Sequence, residues 1–176
     1  MALALHWPLS FAREEKLNEY ESKASFLAAF PKFVDWPADA FSAEQSPVVL
    51  CVFGDFSFGT SLAAATRGTS IRGRSVEVRW ARKQQDLRLC HILFVSRSEG
   101  KRYATIFKSI QGANVLTVGE TPDFLASGGA IDFLMEGDKL QFEVNMGAAA
   151  DAHLRISSNM LALARHVIAR TEAAKS

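Results

Sequence analysis

The chain has 176 residues, with 20 basic against 19 acidic side chains and a formal net charge of +1. That balance argues against a large nucleic-acid footprint, and no 18-residue apolar run marks a membrane-spanning helix. The composition, 48% hydrophobic and 22% charged, is that of a globular protein, and the length suits one domain with a real core rather than two.

Residues Met1 to Phe11 are apolar, and the first charge is Arg13. Ser10-Phe11-Ala12 has the small-x-small pattern of a signal-peptidase site, although a basic start is missing. The expectation is a signal-peptide remnant over 1–12 and a single domain over 13–176; the plainer alternative is an apolar arm that packs on the domain. Glu14 to Val34 reads as a helix, since Leu17, Tyr20, Ala24, Leu27, Ala28 and Val34 recur at helical spacing. Pro31 interrupts the pattern and Pro37 ends it. Phe26, Phe30, Phe33 and Trp36 crowd its end. They read mainly as core, and whatever part of Phe30, Phe33 and Trp36 is left exposed would be a partner surface.

Val48 to Phe53 is a continuous apolar run between Pro47 and Gly54, the pattern of a strand buried on both faces. Gly54 to Gly59 reads as a turn with exposed aromatics, and Ser61 to Thr66 as a short helix. Arg72-Gly73-Arg74 is a second turn. Val76, Val78 and Trp80 alternate with Glu77, Arg79 and Ala81, which predicts a half-exposed strand. Lys83 to Arg88 is a charged loop. His91 to Val95 is another buried strand, and Tyr103 to Ile110 a helix that Gly112 caps. Val115 to Val118 is a third buried strand. Ala130 to Met135 and Leu140 to Val144 flank Glu136-Gly137-Asp138-Lys139 and form a hairpin. Ser157 or Ser158 caps a last helix from Asn159 to about Arg170, with Met160, Leu163, Val167 and Ile168 as its stripe.

Buried strands alternating with helices imply parallel βαβ units. The expected fold is a single α/β domain with a mostly parallel, Rossmann-like sheet, helices on both faces and an antiparallel hairpin at one edge. In such sheets ligands sit beyond the carboxyl ends of the strands. That places Asp55, Phe56, Phe58, Ser96, Arg97, Glu120 and Thr121 around a ligand crevice. The loop from Gly54 to Gly59 lacks the glycine spacing and the Gly-Lys-Ser/Thr of a phosphate cradle. No nucleophile turn and no base–nucleophile arrangement stands out, so no catalytic residue is assigned. Nothing has metal-ligand spacing, and no cofactor is implied.

Several stretches together resemble the YfiR-like family of bacterial periplasmic regulatory proteins. They are Lys23-Ala24, Phe26-Leu27 and Phe33-Val34-Asp35-Trp36-Pro37; Cys51-Val52-Phe53-Gly54-Asp55 with Phe58-Gly59; Cys90-His91-Ile92-Leu93-Phe94; Leu116-Thr117-Val118-Gly119-Glu120 with Gly128-Gly129-Ala130-Ile131; and Phe142-Glu143-Val144-Asn145 with Ile156-Ser157-Ser158. The resemblance runs from about Tyr20 to Val167. It implies a non-enzymatic periplasmic sensor whose partner is an inner-membrane diguanylate cyclase, with effects on cyclic di-GMP and biofilm formation. A periplasmic small-molecule-binding module without a cyclase partner is the alternative, and a homodimer stays open. Cys51 and Cys90 are 39 residues apart. In a sheet of order 2-1-3 their strands are neighbours, and family members often carry cysteines at both positions. A disulfide follows if register and faces match; otherwise the two are buried thiols on opposite faces.

Overall fold

The computed structural model describes residues 9–55 and 57–169. Helix α1, Leu9–Ala29, is followed by a 3-10 turn at Phe30–Lys32 and by the short strand β1, Val34–Asp35. Strand β2 is Val48–Phe53, α2 is Ser61–Thr66, β3 is Ser70–Ile71 and β4 is Arg74–Ala81. Strand β5, Ile92–Val95, leads through a 3-10 segment into α3, Tyr103–Ser109, and β6, Leu116–Gly119. Strands β7, Ile131–Glu136, and β8, Lys139–Asn145, form the hairpin. Helix α4, Met146–Asp151, β9, Arg155–Ile156, α5, Ser158–Leu163, and β10, His166–Ile168, complete the chain.

The main sheet has the order β10-β8-β7-β6-β5-β2-β4-β3. Only β7/β8 and β3/β4 are antiparallel; the other five pairs are parallel. The middle of the sheet, β4-β2-β5, has the expected 2-1-3 order. Every residue of β2, β5 and β6 is buried, because the sheet is covered on both faces. Leu50, Val52, Phe94 and Val118 pack under α1 with Tyr20, Leu27 and Phe30. Val49, Cys51, Leu93 and Val95 face the other way, against Tyr103 and Ile106 of α3. This opposition is the period-2 alternation of a strand buried twice over.

Three local expectations are corrected. Val34 belongs to a strand rather than to the end of α1, since it pairs with Ile156 in a separate two-stranded ribbon. Pro31 ends the helix, and Phe33 O then accepts from Ser157 N at 2.8 Å. The last helix stops at Leu163, not near Arg170. Ala164 is extended, Arg165 N donates to Phe142 O, and His166–Ile168 pairs in parallel with Glu143–Asn145. Adjacent β-branched Val167 and Ile168 suit a strand better than a helix stripe. Leu163, assigned to that stripe, is 64% exposed. The short β10 therefore lies outside the hairpin at that edge of the sheet. Phe58 is also buried rather than exposed, edge-on to both Tyr20 and Phe94.

Two glycines make close approaches. A Cβ on Gly54, where φ is +102°, would stand 2.7 Å from Ser98 Oγ and 2.8 Å from Ser96 Cβ. This lets the chain leaving β2 cross closely over the chain leaving β5. A Cβ on Gly119 would overlap the buried ring of Phe124, which folds over the end of β6.

Candidate functional site

Strands β5 and β6 end at Val95 and Gly119, while the β7–β8 hairpin continues past them. A cleft of about 730 Å³ opens beyond these ends, beside the hairpin. That volume is in the range of small-ligand sites, and the position follows the rule for open α/β sheets.

Glu120 lies at the base of the cleft, with its side chain 1% exposed. It gathers groups from two elements. Lys23 Nζ of α1 donates to Oε2 at 2.5 Å, and the Tyr20 hydroxyl donates at 3.0 Å. From the chain after β5, Arg97 donates its backbone N–H to Oε1 at 3.0 Å and a guanidinium N–H to Oε2 at 3.2 Å. Glu19, one turn before Lys23, also pairs with Lys23 and lies 3.3 Å from Arg97. Burial alone would raise the Glu120 pKa, but the bonds from Lys23 and Arg97 outweigh it and hold the carboxyl below its ordinary range. Burial first, then the neighbouring Glu120 charge, pushes the Tyr20 hydroxyl up to about 12, against a hydrogen bond to Ser57 that lowers it.

Asp132 of β7 stands on the hairpin wall and is 6% exposed. Its Oδ1 accepts from Thr121 N at 3.0 Å. Burial raises its pKa to about 7, and the charges of Glu143 and Glu120 act in the same direction. Asp132 and Glu143 are directly opposite in the β7–β8 ladder, so their side chains share one face.

The expected crevice residues divide. Arg97 and Glu120 meet at the cleft base. Thr121 offers its backbone to Asp132 and its hydroxyl to Tyr103 OH at 2.8 Å. Ser96 is buried, and its hydroxyl accepts from Ser98 N at 3.4 Å. Asp55 is exposed and donates its N–H to Ser98 Oγ. Phe58 sits in the core beneath α1, and Phe56 lies outside the described residues. Of the three aromatics read as a partner surface, Phe30 is 2% exposed and packs on Phe133 and Phe142. Phe33 and Trp36 are half-buried, and Trp36 Nε1 donates to Asn114 O at 3.1 Å.

Residue pattern assigns no cleft role to Glu19, Lys23 or Arg165. Alternation alone puts Asp132, Glu143 and Asn145 on the wet face of the hairpin, whereas Asp132 is 6% exposed and Asp132, Glu143 and Asn145 line the cleft. Two of these carried a signal. Lys23 falls within the Tyr20, Ala24, Leu27 stripe, and Asp132 interrupts the apolar run from Ala130 to Met135. A charge at a core-facing position needs a partner.

Cys51 and Cys90 are joined by a disulfide, with Cα atoms 5.8 Å apart. They do not face each other in register, since Cys51 pairs with Leu93. Cys90 reaches across from the 3-10 turn that enters β5, on the α3 side of the sheet. Beside it, His91 Nδ1 accepts from Val49 N at 3.0 Å, which leaves Nε2–H to donate to Ala40 O at 3.0 Å. Among the described residues no group of three His, Cys, Asp or Glu could hold a metal ion.

A family model described as YfiR/HmsC-like matches residues 20–165. A conserved domain protein from Vibrio cholerae O1 biovar El Tor superposes with a TM-score of 0.57 at 10% identity, over 84% of this chain and 60% of that one. The ABC domain in complex with L-Trp from Streptococcus pneumonia superposes with a TM-score of 0.54 at 10% identity, over 82% and 60%. The chain thus spans about three fifths of each of these structures, and the likeness is one of fold.

Proposed function

The chain belongs to the YfiR/HmsC-like family, and on that premise we propose that it restrains a membrane-bound diguanylate cyclase from the periplasmic side. The family is regulatory and non-catalytic, and is known for periplasmic regulation of such cyclases. The match over residues 20–165 carries the reading. The Cys51–Cys90 disulfide suits an oxidising compartment. Among the described residues no helix is long and apolar enough to cross a membrane.

The mechanism is population shift. The domain binds one state of the cyclase's periplasmic segment more tightly than the other and holds it there. The half-buried edges of Phe33 and Trp36 supply the contact, while Phe30 supports them from the core. Deleting the gene raises cyclic di-GMP and surface attachment, and an exported wild-type copy restores both. A copy carrying Phe33→Ala and Trp36→Ala folds but restores neither. Unchanged cyclic di-GMP in the deletion strain, with a cognate cyclase expressed, refutes the reading. Export belongs to the same proposal, with cleavage near Ala12; N-terminal sequencing of the periplasmic protein tests it.

The cleft favours a second reading, a periplasmic small-molecule-binding module without a cyclase partner. A metabolite that binds the purified protein, together with a silent deletion, selects it.

A further inference from the structure

With Asp132 ionised, the charges around the cleft do not balance. Glu19, Glu120, Asp132 and Glu143 contribute four carboxylates, and Lys23, Arg97 and Arg165 three cations. Each of those cations is already engaged. Lys23 and Arg97 hold Glu19 and Glu120, and Arg165 lies 3.5 Å from Glu143 and 3.8 Å from Glu136. Among the described residues neither Lys nor Arg forms an ion pair with Asp132. Among the described residues Asp132 accepts one hydrogen bond, from Thr121 N to Oδ1, and its side chain belongs to the lining of the cleft. A carboxylate buried this far is unfavourable without a positive partner. Beside it the wall is apolar: Pro122, Leu125, Leu134, Met135 and Ile168. Met135 and Ile168 are 41% and 40% exposed.

We propose that this cleft binds small organic amines, with the ammonium group seated between Asp132 and Glu143 and the apolar body laid along Leu125, Leu134 and Met135. The ammonium supplies the cation that Asp132 lacks. An anionic ligand is disfavoured, because Lys23, Arg97 and Arg165 would have to leave carboxylates to meet it. The inference rests on the cleft and not on control of a cyclase, so either stands if the other fails.

Binding depends on pH through Asp132. The groups that face it are Glu143 on β8, Glu120 after β6, Lys23 on α1 and Tyr103 on α3. Glu19, Arg97 and Arg165 line the same cleft. Burial first, and then the surrounding carboxylates, keep a proton on Asp132 up to about pH 7. An arriving ammonium displaces it, so affinity rises from pH 6 to pH 8.

The test is calorimetric titration of the full chain, disulfide intact, with 4-phenylbutylamine, 4-phenylbutanol and 4-phenylbutyrate. The amine is expected to bind at least about tenfold tighter than the other two at pH 8, with proton release near pH 7. Tenfold corresponds to about 1.4 kcal/mol. Asp132→Asn is expected to abolish both the preference and the proton release, with its fold checked by thermal melting. Glu143→Gln, on the more exposed partner, is expected to weaken the amine severalfold and carries the test if Asp132→Asn fails to fold. Equal binding of amine and alcohol, tighter binding of the carboxylate, or a preference that survives these substitutions overturns the proposal.

Discussion

Lys23 on α1 and Glu120 just past β6, 97 residues apart in sequence, meet at 2.5 Å with side chains 2% and 1% exposed. This pair fixes where α1 lies along the sheet. Two charges taken out of water need a full set of partners, and here Tyr20, Glu19 and Arg97 complete it. The cleft base is therefore held by a network rather than by one bond.

Removing one member leaves the other charge buried. Lys23→Met is expected to destabilise the protein by about 3 kcal/mol, within the range for a broken buried pair. The double substitution Lys23→Met with Glu120→Met is expected to regain much of that loss, since it removes both desolvated charges. Urea unfolding of the two variants measures this. A double variant less stable than Lys23→Met by a further 3 kcal/mol or so would show that Glu120 acts independently of Lys23.

The disulfide closes 39 residues. In the chain-entropy model such a loop contributes about 4 kcal/mol. Replacing both cysteines by Ala is expected to lower stability by about 3–4 kcal/mol without changing the sheet. Alkylation of unreduced protein, read by mass spectrometry, is expected to find no free thiol. Two alkylated cysteines in protein taken from the periplasm would contradict the bond.

Asp132 imposes a pH dependence. Its folded pKa is raised to about 7, against roughly 3.9 in an unfolded chain. Its favourable contribution is complete below about pH 4 and is lost as pH rises through 7. Asp132→Asn removes that loss and keeps an oxygen for Thr121 N. The variant is expected to gain on the wild type steadily between pH 4 and 7, reaching about 1–3 kcal/mol above pH 7. A difference that does not change with pH would rule out this origin.

His91 acts in the opposite direction. Burial, chiefly, lowers its pKa, and nearby Arg74 and Arg79 add to the effect. Protonating Nδ1 would also break the bond from Val49 N. Stability from this residue is present above its ordinary pKa of about 6.5 and falls as pH drops below it. Nitrogen NMR at pH 7.5 is expected to find the Nε2–H tautomer, and a stack of the ring on Phe41, whose centroid is 4.4 Å away, is expected to shift the Phe41 signals. An Nδ1–H tautomer would contradict the bonding.

Residue pattern alone determined the middle of this protein. Val48–Phe53, His91–Val95 and Val115–Val118 are apolar runs too short for helices, and turn residues bound the first of them. They became β2, β5 and β6 because burial on both faces leaves no other pattern. Helix α2 and the β7–β8 hairpin were legible for a similar reason: their period and turn residues are local. The order 2-1-3 entered as a condition, the one common in doubly wound sheets; the packed sheet has it, and it brings Cys51 and Cys90 within reach. Tertiary structure decided what local pattern cannot encode. Val34 and Ile156 pair across 122 residues, and Val167 and Ile168 join β8 because its outer edge lay open. Lys23 meets Glu120 only once α1 is docked, and Asp132 becomes a buried carboxylate only when the hairpin wall, the Thr121 turn and the charges around it are assembled. Periodicity reports which face of an element is buried. It does not report which distant residue will be waiting there, because that depends on how the packed elements set one another's position.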